Sequence, residues 1–97
     1  MIDNAYLHCA PVSLPEVSVP TGTSAPLTET ATRAASGLLV QAPTSNTVSV
    51  YVGGSGVTTG TGIILAPGVS ISISLADASK LYSIAGAAGQ KLRVLAL

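Results

Sequence analysis

The side chains capable of chemistry in this 97-residue chain are few and scattered. A metal centre would draw first on His8 and Cys9, the only histidine and the only cysteine. A structural zinc site takes four ligands, usually in pairs spaced by two or more residues. Adjacent side chains on an extended segment point to opposite sides, so no metal site is expected. Nucleophilic catalysis meets the same shortage. Serines are plentiful, but His8 is the only general base of the usual kind. A carboxylate pair would have to come from Asp3, Glu16, Glu29 and Asp77, no two of which are close in sequence. The glycine-rich stretch Gly53-Gly-Ser-Gly-Val-Thr-Thr-Gly-Thr-Gly62 invites comparison with a phosphate-binding loop. Such a loop continues with Lys-Ser/Thr and a helix, whereas here Ile63-Ile64-Leu65 follows, which reads as a strand. A hairpin loop is the expectation. No enzyme, cofactor or small-molecule substrate is expected.

The four bases, Arg33, Lys80, Lys91 and Arg93, balance the four acids, and charged residues make up 8% of the chain. Ordinary soluble domains carry about 25%. Nucleic-acid binding needs clustered Lys and Arg, so that partner class is excluded. A net charge near zero instead favours association. The absence of Phe and Trp thins the core, which must come from Val, Ile, Leu and Ala. Ninety-seven residues allow one domain, and burial between subunits would compensate for that core. The N-terminus lacks a basic leader and an apolar run of signal length. No stretch approaches the roughly 20 apolar residues of a membrane helix. A reducing cytosol, with Cys9 as a free thiol, is therefore expected.

The elements that position these groups read as β. Residues 1–24 carry Pro11, Pro15 and Pro20, with single apolar residues between polar ones. Each proline fixes φ and removes an amide donor, which predicts an extended arm offering Tyr6, Leu7, Leu14 and Val17 to a partner. Residues 28–36 are low in complexity and suit an edge strand or a loop. Leu38, Val40 and Ala42 alternate with Leu39 and Gln41, and Pro43-Thr-Ser-Asn46 makes a turn. Val48, Val50 and Val52 form a second alternating set, and Ile63–Leu65 a short strand closed by Pro67-Gly68. Val69, Ile71, Ile73 and Leu75 alternate without error with serines, the period of a half-buried strand. Asp77 is placed to cap a single helical turn. Leu81–Ala85 and Gln90–Ala96 complete the set, the last placing Lys91 and Arg93 on one face as candidate partner contacts. The expected fold is an all-β antiparallel sandwich, jelly-roll-like or immunoglobulin-like, of about six or seven short strands over residues 25–97. Val19-x-Thr-Gly-Thr-x-x-x-Leu27 also matches Val57-x-Thr-Gly-Thr-x-x-x-Leu65, each reading as a turn feeding a strand.

Val50-Tyr-Val-Gly-Gly-Ser-Gly-Val-Thr, Gly62-x-x-Leu-Ala-Pro-Gly68, Asp77-x-Ser-Lys-Leu-Tyr82 and Gly89-Gln-Lys-Leu-Arg-Val-Leu95 carry a resemblance. Over residues 19–97 the chain resembles small virion proteins of tailed bacteriophages, of the capsid decoration (cement) and head-associated type. The resemblance implies a β-sandwich subunit, commonly a homotrimer, that bridges major capsid subunits on the capsid exterior after assembly in the host cytoplasm. Two other roles stay open: a fibre-type module recognising a receptor or carbohydrate, and a head-closure or tail component. A recognition module favours aromatic platforms, and Tyr6, Tyr51 and Tyr82 are the only aromatic residues.

Overall fold

The computed structural model describes residues 12–28 and 37–97. Their strands are β1 (Val12–Ser13), β2 (Val17–Ser18), β3 (Ala25–Pro26), β4 (Leu38–Gln41), β5 (Val50–Gly53), β6 (Ile63–Leu65), β7 (Ser70–Ile73), β8 (Tyr82–Ala85) and β9 (Lys91–Ala96). One sheet runs β1-β9-β4-β7, with β2 also on β9, and the other runs β3-β8-β5-β6. All these pairings are antiparallel. With β1 and β2 taken as one interrupted strand, chain order reads 1-8-3-6 in one sheet and 2-7-4-5 in the other. That interleaving is the jelly-roll order, which selects between the two sandwich types expected.

Alternation decides which side chains fill the space between the sheets. Leu38 and Val40 of β4 and Leu92 of β9 have no exposed surface, and neither do Val50 of β5 and Leu65 of β6. Leu38 and Val40 sit opposite Ala96 and Val94 on β9, and opposite Ile73 and Ile71 on β7. Each fully buried Val or Leu contributes about 1.5–3 kcal/mol, so β4 and β9 anchor the core. The alternation expected over Val69–Leu75 is present, yet Ile71 and Ile73 are only half-buried and Val69 is 40% exposed.

The turns follow their residues. Val69 N–H donates to the Ala66 carbonyl at 2.9 Å, with Pro67 second and Gly68 third at φ 89°, a type II turn. Asn46 N–H closes the Pro43 turn at 3.1 Å. Asp77 caps the 3₁₀ turn Ala78–Lys80, its Oδ1 accepting from Ser79 N–H at 2.9 Å. Gly37, at φ 105°, lies where an added Cβ would stand 2.6 Å from the Ile73 carbonyl oxygen. Only glycine fits there.

The segment expected as an arm is extended over its described part, and it is also paired. Val12 and Ser13 lie opposite Ala96 and Leu95, and Val17 and Ser18 opposite Leu92 and Lys91. Val19 N–H donates to the Gln90 carbonyl at 3.0 Å and its side chain is 5% exposed. Pro15, Pro20 and Pro26 remove donors but leave the residues between them free to pair, which an outer strand tolerates. Residues 1–11, with Tyr6 and Leu7, and residues 29–36 lie outside the described residues. In the repeated pattern, Val19, Leu27, Val57 and Leu65 are all buried, and the two copies feed β3 and β6, the two edges of one sheet.

Candidate interaction surfaces

Three surfaces gather the residues of interest. The first runs along the outer face of β9. Leu92, Val94 and Ala96 point inward, which turns Lys91, Arg93 and Leu95 outward. Arg93 Nε lies 3.5 Å from Glu16 Oε2, and Lys91 Nζ donates to Ser18 Oγ at 2.9 Å. Leu14 N–H donates to the Val94 carbonyl at 3.0 Å, and Leu14 and Val17 both pack on the core. Four of the six residues singled out by sequence, Leu14, Val17, Lys91 and Arg93, thus come together beside β9. The other two, Tyr6 and Leu7, lie outside the described residues. The side chains of Arg93 and Glu16 are 64% and 46% exposed, so solvent screens the pair and its contribution is about 0–1 kcal/mol. β9 is flanked on both sides by strands, so these charges do not guard a free edge.

The second surface is an open seam. Ile63 is opposite Val52 and so faces inward, yet it is 59% exposed. Ile71 and Ile73 also face inward, opposite Val40 and Leu38, and are half-buried. β6 and β7 are the edges of their sheets on this side. Between them runs a cleft lined by Val52, Ile63, Ile71, Ile73, Leu75 and Leu81, with Lys80 its only charged residue. Sequence reading placed Ile63–Leu65 in a strand but missed its exposure. The available signal was three consecutive apolar residues, since a strand that short and unalternating must turn one large side chain to each face.

The third surface is the outer face of the four-stranded sheet. Tyr51 lies opposite Ile84 and Ile64, and Tyr82 opposite Gly53 and Pro26. Tyr51 and Tyr82 are therefore diagonal neighbours, about 7–8 Å apart at Cα. Both are half-exposed, and Ile64 beside them is 61% exposed.

Several other polar groups are occupied in holding the chain. Asn46 is 6% exposed; its Nδ2 donates to the Lys91 carbonyl and its Oδ1 accepts from Lys91 N–H, both at 2.8 Å. Gln90 Oε1 accepts from Thr47 and Val48 N–H at 2.9 and 3.1 Å. In the glycine-rich loop, Thr58 N–H donates to Thr61 Oγ1 at 3.0 Å and Gly60 N–H to Thr58 Oγ1 at 3.2 Å. Thr61 and Gly62 N–H both reach the Thr58 carbonyl at 3.1 Å. Those four amides are committed within the loop, and β6 follows it in place of a helix. Among the described residues no group of three or more His, Cys, Asp or Glu side chains could hold a metal ion, and no helix is long and apolar enough to cross a membrane.

No protein-family profile, curated protein or solved structure matches this chain. The class defined by fold and surface is a small jelly-roll sandwich with an exposed apolar seam.

Proposed function

We propose that the chain is a structural virion subunit that decorates a tailed-phage capsid and stabilises it by bridging major capsid subunits. The observation that carries this reading is the combination of a jelly roll with an unclosed apolar seam that carries a single charge, Lys80. Contiguous exposed apolar surface on a small domain marks an interaction site. The jelly roll recurs in viral capsid domains, which adds support by analogy of fold. The stabilising action is mechanical: a stiff sandwich adds contact area across subunits and resists their separation under internal pressure.

The test is co-sedimentation of the purified protein with expanded phage heads that lack decoration. Saturable binding is expected, with heads more resistant to heat or low salt once loaded. Heads that take up none of the protein would overturn the proposal. One observation favours a second reading, a recognition module for a receptor or carbohydrate: Tyr51 and Tyr82 share an exposed face with Pro26 and Ile64. On that reading a glycan-array signal disappears in Tyr51→Ala and Tyr82→Ala while the fold persists.

A further inference from the structure

The two sides of the sandwich are built differently. The side formed by β1, β2 and β3 carries Pro15, Pro20 and Pro26, with Glu16 and Arg93 close by. Prolines and charges on an edge block further strand pairing. The strands β6 and β7 themselves have neither device; the one charge on their cleft, Lys80, stands on the 3₁₀ turn beyond them. Residues 58–76 contain no charged residue, and Pro67 sits in the turn between the strands. Ala42 N–H donates to the Val69 carbonyl, so the alternation of an antiparallel ladder turns the N–H and C=O of Ser70 and Ser72 away from β4, toward open solvent. Main-chain groups ready to pair thus lie beside inward-facing isoleucines left partly uncovered.

We propose that this seam pairs with the same seam of a second copy across a twofold axis. Seam-to-flank contact, which a ring of three copies would need here, sets free amides against prolines. Among the described residues the seam has only its own image as an edge of equal pairing capacity. Its neutrality means that the image brings no repulsion along β6 and β7. Residues directly opposite in a ladder share a face, so the axis must fall on a residue, and two such registers centre Ser70–Ile73 on it. Either Ile71 or Ser72 lies on the axis. The second places Ile71 opposite Ile73 of the second copy and fills the cleft from both sides. The size suffices: seven residues of Val69–Leu75 at about 3.3 Å each, across two sheets spanning roughly 20 Å with their side chains, give about 500 Å² per copy. The total of roughly 1,000 Å² reaches the lower bound of a specific interface. The pairing proposed is thus a twofold dimer, in place of the homotrimer expected from the resemblance, and the oligomeric state decides between them.

The proposal deepens the assembly reading but is read independently of it. The experiment is light scattering and sedimentation velocity on the free full-length protein over a micromolar concentration series. Wild type is expected as a dimer. Ser72→Pro removes one outward N–H without touching the β4 ladder, and Ile63→Thr removes apolar seam surface while keeping a β-branched strand residue. Each is expected to weaken dimerisation at least tenfold, with the β circular dichroism spectrum retained. Ser13→Lys, on the proline flank, is expected to leave the mass unchanged. If Ser72→Pro does not fold, Ile63→Thr decides. A monomer throughout, or any oligomer insensitive to Ile63→Thr, overturns the inference. So does a dimer lost on deleting residues 1–10 but indifferent to both seam substitutions, since the occupant would then be that segment. A dimer that ignores phage heads sinks the decoration reading alone, and a monomer that binds them sinks the pairing alone.

Discussion

Two buried polar residues behave in opposite ways. Asn46 stands in for a strand residue: its amide exchanges two hydrogen bonds with the Lys91 main chain, as an opposite backbone unit would. Truncation to Ala leaves the Lys91 N–H and C=O without those bonds, and each buried orphan costs about 1–3 kcal/mol. Asn46→Ala is therefore expected to lower stability by about 2–4 kcal/mol in urea melts. Ser83 is the counter-case. It has no exposed surface, and among the described residues its Oγ has no hydrogen-bond partner. Ser83→Ala is expected to be neutral or to stabilise by up to about 1 kcal/mol, because the hydroxyl is desolvated without return. A loss comparable to that of Asn46→Ala would reveal a partner for the hydroxyl. Neither role was legible in the sequence. Pro43-Thr-Ser-Asn46 signalled a turn correctly, but the partner of Asn46 lies 45 positions away, and no local pattern reports such a contact.

Strand periodicity was the most legible signal, and burial depth the least. β4, β7 and β9 fall where alternation places them, and Asp77 caps the turn that its position suggests. Val69–Leu75 gave the cleanest alternation in the chain, yet it forms an edge. β4 and β9 alternate less conspicuously but sit between other strands. Alternation reports which face of a strand is apolar; it carries no information on how many neighbours the strand has. The distinction has a measurable consequence. Leu92→Ala removes a side chain with no exposed surface and is expected to cost about 3–5 kcal/mol. Ile73→Ser, on a half-buried position, is expected to cost about 1–2 kcal/mol. Urea melts that reversed this order would place β7, not β9, at the centre of the core.

At the scale of the molecule, the all-β class and the sandwich followed from the Gly/Pro spacing and the short alternating runs. The integration of residues 12–19 did not, because prolines argue against central strands and are silent about outer ones. A pair of truncations separates the two parts of this segment. Removal of residues 1–10 leaves every described pairing in place and is expected to preserve the β spectrum and the melt. Removal of residues 1–20 also strips Val17 and Val19 from the core. It is expected to unfold the domain, or to reduce its stability by several kcal/mol, as judged by circular dichroism. An unchanged melt for the longer truncation would show that the sandwich closes without β1 and β2.

β9 lies between β4 and the β1–β2 pair and supplies Leu92 and Val94 to the core, although it comes last in chain order among the described strands. Until the ribosome has passed Ala96, residues 12–18 have no ladder to join and β4 has β7 as its only neighbour. The nascent chain therefore holds an incomplete sheet until β9 is made, and its longest-range pairings close after the local ones. During that interval β4 shows an unpaired edge where β9 will lie, a surface open to capture by a chaperone or by another nascent chain.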